Sequence, residues 1–232
     1  MKQFRLVTSL LVVLAAALII ACGGDDDGGD GTPTVSPGGS INANAVQQLR
    51  DLAGKWADVD AKVTYTLTNA AGDANVVVYR QSGNSRIDHT LADRTTTVIV
   101  RSDVGYSCST LGNTCASLPV DQAKESAGFI PFVGPLADSD SLEAMIAGST
   151  GVEGASGRNV AGRDTACVKV SGALSGIPDP ATFCFSDDGL LLFISYEGPS
   201  GFEMTATSVD EAQDSDFDPP YAVVSPQPTA AQ

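Results

Sequence analysis

The chain has 232 residues, 28 of them acidic and 13 basic, which gives a formal net charge of −15. Nucleic acid is therefore not expected as a partner, because phosphate binding needs a basic patch and the basic residues here are scattered. The same charge repels anionic lipid headgroups, so attachment to a membrane would need a group other than the protein surface.

The chain begins with a pattern that is typical of export. Lys2 and Arg5 precede an apolar run that ends near Ile20, and this run is short for a spanning helix, which needs about 20 apolar residues. The Ile-Ile-Ala-Cys sequence that ends at Cys22 resembles the lipobox of bacterial lipoproteins. That resemblance implies a signal peptide over 1–21, cleavage before Cys22, and lipid on that cysteine, including an acyl chain such as palmitate. An ordinary signal peptide with an incidental cysteine is the alternative.

Residues 22–42 read as a disordered tether, because Gly, Asp, Ser and Pro bury too little apolar surface to offset the entropy of ordering. A flexible coil of this length reaches on the order of 25 Å. Residues 221–232 are also expected to form a flexible tail, which leaves 43–220 as a single domain. Since two acyl chains anchor a protein stably, we expect an extracytoplasmic protein held at the cell membrane through Cys22.

Four further cysteines fit an oxidising compartment. They allow three pairings, and the simplest joins Cys108 to Cys115 and Cys167 to Cys184. Loop closure gives about 2.5 kcal/mol for the shorter loop and about 3 kcal/mol for the longer. The alternative is zinc, but zinc sites favour CxxC spacing and histidine partners. We therefore predict two structural disulfides, with no metal and no cofactor.

The folded region is expected to open with a helix over 45–57, capped by Asn42 or Asn44, whose apolar residues recur at helical spacing. Short runs of alternating or β-branched character follow, joined by connections of turn length, and they predict an antiparallel meander. These runs are 62–69, 75–81, 85–91, 95–102 and 104–109.

The middle of the chain changes character. Residues 120–128 and 139–148 look helical, whereas the apolar stretch 128–136 between them contains two prolines and cannot be a regular helix. The glycine-rich residues 148–157 read as a surface loop. Strands are then predicted again at RNVAG, TACVKVSG, ATFCFS, LLLFISYEG and FEMTATSVDEA, which makes an α+β domain with roughly nine strands.

Alternation along the strands predicts one apolar face and one polar face. Val63, Tyr65 and Leu67 share a face, as do Ile87 and Leu91 together with the only histidine, His89. A sheet with a single apolar face has to be covered, and the helices are the candidates.

The order of helix, strands, helical insertion and further strands is similar to that of the LolA and LppX-like superfamily of exported lipid-binding proteins. The likeness covers roughly 43–220. It is carried by the lipobox, the Tyr65 strand, Arg86-x-Asp88, Tyr106-x-Cys108, and the run from Ala161 to Cys167 that is followed by Cys184 and Asp188-Gly189. It implies a curved antiparallel half-barrel whose concave side is covered by a few helices around an apolar cavity.

The resemblance therefore implies a carrier or sensor of a lipid or other hydrophobic ligand. The residues expected to line the cavity are Val63, Tyr65, Leu67, Val77, Tyr79, Ile87, Leu91, Phe129, Ile130, Phe132, Val133 and Leu136. A tethered protein departs from the soluble carrier of that superfamily, which puts shuttling between membranes in doubt. The same apolar residues would equally fill a solid core, and then a structural lipoprotein with an unidentified protein partner is the alternative.

The sequence contains no recognisable catalytic motif. There is no G-x-S-x-G elbow, and His89 has no nucleophile and orienting acid recognisable beside it in the sequence. We therefore predict that the protein is not an enzyme and has no catalytic residues.

Overall fold

The structure is a computed structural model, and it describes residues 40–70, 72–127, 139–172, 180–197 and 201–224. These residues belong to a compact unit, Pro37–Gln232. The expected signal peptide, the lipidation site Cys22 and the tether up to residue 39 lie outside the described residues. So do the last eight residues of the tail and the predicted lining residues Phe129, Ile130, Phe132, Val133 and Leu136.

A large, curved and unclosed β-sheet organises the domain, so the fold is α+β. Its strands are β1 (Ala61–Asn69), β2 (Gly72–Gln81), β3 (Asn84–Leu91), β4 (Arg94–Val100), β5 (Gly105–Ser109), β6 (Thr114–Leu118), β7 (Gly151–Ala155), β8 (Asn159–Val160), β9 (Arg163–Ser171), β10 (Ala181–Ser186), β11 (Leu191–Tyr196), β12 (Phe202–Asp210) and β13 (Ala222–Val224). Their order is β13-β6-β5-β4-β3-β2-β1-β12-β11-β10-β9-β7, and β8 pairs with β9 outside this path.

The sheet has 13 strands where about nine were expected. β7 lies in the glycine-rich segment that was predicted to be a surface loop, and its pairing with β9 outweighs the low strand propensity of its glycines. β13 lies in the segment predicted to be a flexible tail, and it pairs with β6 in parallel. Every other pairing between the described strands is antiparallel.

Three α-helices accompany the sheet in the described ranges, α1 (Ala43–Asp58), α2 (Val120–Ala127) and α3 (Ser139–Gly148), and a single 3₁₀ turn spans Asp214–Phe217. Asn42 caps α1, because its side-chain oxygen accepts the backbone N–H groups of Asn44 at 2.9 Å and Ala45 at 3.3 Å. The predicted first helix and one of its two predicted caps are thus present. None of these helices is long and apolar enough to cross a bilayer.

All three α-helices lie on one face of the sheet, which we call the inner face. The main core forms between this face and α1 and α3, while α2 covers Val98 and Val100 through Ala123. Gly105 permits the close approach of α2, since a Cβ at this position would lie 2.2 Å from the Cβ of Ala123. The apolar residues of α1 recur every three or four positions, and those that are buried are Ala45, Val46, Leu49, Leu52, Ala53 and Trp56.

The opposite, outer face is crossed by residues 211–224, which we call the C-terminal strap. Its residues Ala212 and Phe217 pack on Tyr79 and Ile99, and the strap ends as β13 beside β6. The chain therefore passes over strands β2 to β4 before it joins the sheet.

A hydrogen-bonded polar network fixes the strap to the outer face. Arg86 donates from Nε and Nη2 to the carboxylate of Asp88 at 2.9 and 2.8 Å, and from Nη1 to the carbonyl oxygen of Asp216 at 2.7 Å. Tyr79 and Thr97 also donate to Asp88. Burial and the neighbouring Asp88 raise the pKa of Tyr79 to about 12, so its hydroxyl stays protonated and donates at neutral pH.

Terminal segments of the described domain complete both ends of the sheet. At one end is β13, and at the other Ile41 forms a parallel bridge with Val152 of β7. Two backbone hydrogen bonds support that bridge, from Asn42 N to Val152 O at 2.8 Å and from Val152 N to Ser40 O at 3.2 Å.

Candidate ligand-binding face

Five of the predicted lining residues lie on the inner face. Register places Val63 opposite Val78, and Val78 opposite Ile87, while Tyr65 and Leu67 follow Val63 on the same side. Val63, Tyr65 and Ile87 are buried, Leu67 is half-buried, and Leu91 is 47% exposed. The structure therefore brings these residues onto one apolar surface, with its accessible end at Leu91.

Val77 and Tyr79 lie on the outer face, which corrects the expectation that they line the same cavity. Val76 and Val78 are the β2 residues opposite Tyr65 and Val63. Val77 and Tyr79 therefore point to the other side, where they pack with the C-terminal strap. Three consecutive valines in β2 made both sides of this strand apolar, so alternation alone did not decide which side faces the helices.

The inner face beneath α1 is filled by side chains. Leu49 and Trp56 of α1, and Val63 and Tyr65 of β1, are all 0% exposed and belong to one core cluster. Tyr65 also donates its hydroxyl to the carbonyl oxygen of Leu191 at 2.6 Å, and burial raises the pKa of this tyrosine. A ligand on this face would have to displace part of the helical cover.

Arg80 is the one buried charged side chain on the inner face within the described ranges, and it is 9% exposed. It pairs with Ala61 across β1 and β2, and its guanidinium carbon lies 5.3 Å from the ring centroid of Trp56. Burial lowers the pKa of Arg80, while the nearby charge of Asp58 opposes that shift. Trp56 Nε1 is buried and has no hydrogen-bond acceptor among the residues that the structure describes.

Sequence reasoning missed the contribution of Arg80 and Trp56 to this face. Trp56 was included only among the apolar residues of the predicted helix 45–57. The sequence contained a signal for Arg80, because residues two apart in a strand share a face and Arg80 follows Val78 by two. Placing Tyr79 on the inner face assigned its neighbour Arg80 to the opposite face.

His89 lies on the inner face opposite Val76, as the alternation predicted. Burial lowers the pKa of its imidazole. The described residues contain no group of three or more potential metal ligands.

Two open depressions on the described surface contain none of the predicted lining residues. One has a volume of about 400 Å³ beside α1 and is lined by Asn44, Gln47, Gln48, Asp51, Leu52, Ala166 and Asp187. The other has a volume of about 490 Å³ at the sheet end and is lined by Thr68, Asn69, Arg158, Phe193, Ser195, Tyr196, Glu197, Gly201, Phe202 and Glu203.

Both expected disulfides are present. Cys108 pairs with Cys115 across β5 and β6, and Cys167 pairs with Cys184 across β9 and β10, with Cα atoms 4.0 and 4.1 Å apart. Two structural disulfides are typical of a protein that folds outside the cytoplasm.

Comparison with known proteins gives a likeness of fold. No family model matches the sequence, and no curated protein sequence matches it. The fold is similar to that of MucB. The two share 14% identity at a TM-score of 0.54, and the match covers 78% of this chain and 64% of the MucB chain. This chain thus spans less than two thirds of the length of MucB.

Other solved structures extend this likeness. MucB in the Pseudomonas aeruginosa MucA/MucB complex matches with a TM-score of 0.51 at 11% identity, covering 76% of this chain and 61% of that chain. A conserved protein from Thermus thermophilus, described as uncharacterised, matches with a TM-score of 0.50 at 9% identity over 78% of this chain and 99% of that chain.

A solved structure from the predicted LppX group is also among the matches. The Mycobacterium tuberculosis lipoprotein LppX matches at 14% identity with a TM-score of 0.46, covering 75% of this chain and 99% of that chain. A score of this size carries no argument about function, so function has to be argued from the inner face itself.

Proposed function

We propose that this protein is a membrane-anchored extracytoplasmic lipoprotein that binds the apolar part of a lipid, or another hydrophobic ligand, on its inner face. The lipid on Cys22 would hold it at the membrane. The observation that carries the proposal is an apolar face covered by short helices rather than by a second sheet.

An apolar ligand can displace the helices that cover the inner face. Contacts between apolar side chains are non-directional, so an acyl chain can replace apolar contacts of a helix with contacts of the same kind. Two of the polar contacts that hold α1 to the rest of the domain are exposed. They are the pair of Arg50 with Glu143 of α3, at 2.5 Å, and the hydrogen bond from Nζ of Lys55 to the carbonyl oxygen of Asp187, at 2.8 Å.

The position of α2 supports access from one side. Ala127, the last residue of α2, packs against both the main core and the smaller cluster under α2. The sequence 128–138, which connects α2 to α3 and contains the other predicted lining residues, lies outside the described residues. Leu67 and Leu91 are the inner-face residues that a ligand would meet first, since they retain exposed surface.

The side chains packed beneath α1 favour a second function. If the inner face is a permanent core, the same domain serves as a protein-interaction lipoprotein. MucB has been solved in a complex with MucA, which supports a protein partner for this fold.

Ligand binding can be tested by native mass spectrometry of the purified complete chain, with uptake of an apolar fluorescent probe as a second readout. We expect either copurified lipid or saturable probe uptake. Absence of both would contradict the ligand-binding function and favour the interaction protein.

A pair of matched variants locates the binding. Leu91→Asp places a charge at the accessible end of the inner face, so probe affinity should fall by about tenfold or more. Leu111→Asp introduces the same charge on the turn between β5 and β6, where Leu111 is 71% exposed, and affinity should stay within about twofold. Equal effects of the two variants would exclude the inner face as the binding surface.

A further inference from the structure

The side chain of Arg158 stacks on a buried aromatic ring on the outer face of the sheet. Its guanidinium carbon lies 3.7 Å from the ring centroid of Phe193, which is 2% exposed. Arginine stacks readily on aromatic rings, and its N–H donors then remain at the edge of the guanidinium plane. Among the described residues, none forms an ion pair or a hydrogen bond with this guanidinium. Its donors are therefore available to a ligand.

The backbone at Arg158 is fixed to β9. Thr165, a buried residue of that strand, donates from its backbone N–H and from its hydroxyl to the carbonyl oxygen of Arg158, at 2.9 and 2.8 Å. Gly157 lies so close to β9 that a Cβ there would be 2.4 Å from the carbonyl oxygen of Thr165. A larger residue at 157 would push this segment away from the sheet, so the fold itself determines where the guanidinium lies.

Three polar side chains form a row on the same outer face. Thr68 follows an inner-face residue of β1 and therefore lies on the outer face. Register places Glu203 opposite Thr68, and Ser195 opposite Glu203. Phe193 precedes Ser195 by two residues and shares its face. These four residues and Arg158 line the groove of about 490 Å³ at the sheet end.

The groove has a cation on one side and a carboxylate on the other. Glu203 is exposed and accepts a hydrogen bond from the hydroxyl of Thr205 at 3.1 Å, which leaves further lone pairs of its carboxylate for a ligand. Thr205 pairs with Phe193, so Glu203 is a diagonal neighbour of Phe193 at roughly 7–8 Å between Cα atoms. The other acid of the groove, Glu197, pairs with Lys169 at 3.8 Å.

Opposite charges at this spacing suit a ligand with one anionic and one cationic end. A guanidinium fork binds a carboxylate through two parallel hydrogen bonds. An extended chain spans at most about 3.3–3.6 Å per residue, so the termini of a dipeptide lie about 7 Å apart. A simple anion would be repelled by the carboxylates in the same groove. The ring of Phe193 is covered by Arg158, so it provides no stacking surface for a sugar.

We infer that this groove binds a short peptide with free termini, with the C-terminal carboxylate at the guanidinium of Arg158 and the N-terminal ammonium at the carboxylate of Glu203. The hydroxyl groups of Thr68 and Ser195 lie beside Glu203 and hydrogen-bond the polar groups of the peptide. This site is separate from the inner face and does not depend on lipid binding.

Blocking the termini of one dipeptide tests both contacts. The complete chain, isotopically labelled for NMR, is titrated with alanyl-alanine, with its N-acetyl form and with its C-terminal amide, and the backbone N–H resonances are followed. We expect the free dipeptide to shift the resonances of Thr68, Ser195 and Glu203. Its affinity should fall about fivefold or more when either terminus is blocked, because each block removes one charge-assisted contact.

Matched variants assign each contact to a residue. Arg158→Gln should lower the affinity for the free dipeptide to that of the C-terminal amide, and Glu203→Gln should lower it to that of the N-acetyl form. Both residues are exposed, so both variants should fold, which thermal unfolding checks. Arg163→Gln is the control, because Arg163 is an exposed arginine that pairs with Asp188, and all three affinities should stay within about twofold.

Three results would overturn the peptide site. The first is an absence of shifts in the groove up to about 10 mM dipeptide, a range that detects a millimolar dissociation constant. The second is an N-acetyl form or an amide that binds as tightly as the free dipeptide. The third is an unchanged affinity for the free dipeptide in Arg158→Gln or in Glu203→Gln. None of these results would affect lipid binding on the inner face.

Discussion

The two faces of the sheet are covered in different ways. On the inner face the cover is helical, and it is held by apolar side chains and by exposed polar contacts at its margin. On the outer face the cover is the C-terminal strap, and it is fixed by the charged pair of Arg86 and Asp88 with directional hydrogen bonds.

This difference indicates where the molecule can change shape. Directional bonds to a buried charge are lost as a unit when the geometry changes, whereas apolar contacts can be exchanged for others at small cost. We therefore expect the outer face to stay fixed while the inner face admits a ligand. The predictions below test the fixed face first and the adaptable face last.

Loss of the outer-face charge pair should have the largest effect. Arg86→Met removes the partner of Asp88 and the donor to Asp216, and it leaves a carboxylate with little access to water. The free energy of unfolding should fall by about 3–5 kcal/mol, measured by urea denaturation. Arg163→Met is the matched control, because its pair with Asp188 is exposed and should contribute about 0–1 kcal/mol. Similar losses for the two variants would show that the outer-face network does not fix the strap.

The disulfides should rank next, and both lie on the outer side of the strands that they join. Replacing Cys167 and Cys184 together by serine should lower the free energy of unfolding by about 3 kcal/mol, and replacing Cys108 and Cys115 by about 2.5 kcal/mol, because the longer loop gains more entropy when it opens. Thermal unfolding with and without reductant measures both. Reductant should not change the unfolding temperature of a variant in which all four of these cysteines are replaced by serine. A reductant effect on that variant would show that the loss of stability has a cause other than the disulfides.

The cap of α1 should give the smallest effect. Asn42→Ala removes the acceptor of two backbone N–H groups and should cost about 1 kcal/mol. If α1 is the displaceable cover, this variant should also increase uptake of an apolar probe, whereas Asn44→Ala, inside the helix, should change neither property. If Asn42→Ala lowers stability but leaves probe uptake unchanged, the ligand enters at a place other than α1.

Local patterns predicted much of this architecture. The helical spacing from Val46 to Trp56 and the asparagine before it identified α1, and the alternation in β1 and β3 identified the inner face correctly. The spacing of the four cysteines led to both disulfides. These features depend on residues that are close in sequence, so a local sequence pattern is enough to predict them.

Features that depend on distant contacts were not predictable. β7 has two glycines in five residues and becomes a strand only because β9 lies beside it. β13 has just three residues, and the strap that brings it to β6 is positioned by Arg86. The side of the sheet on which Tyr79 lies was decided by register, because the valines before it are apolar on both sides.

The parallel segments at the two ends of the sheet have a further consequence. An uncovered edge strand offers a row of backbone donors and acceptors to any other chain, and this is a route to aggregation. Ser40–Asn42 protects the edge at β7 and Ala222–Val224 protects the edge at β6. Both protective segments are short and peripheral, so trimming either one would remove little core and yet expose a strand edge that favours self-association.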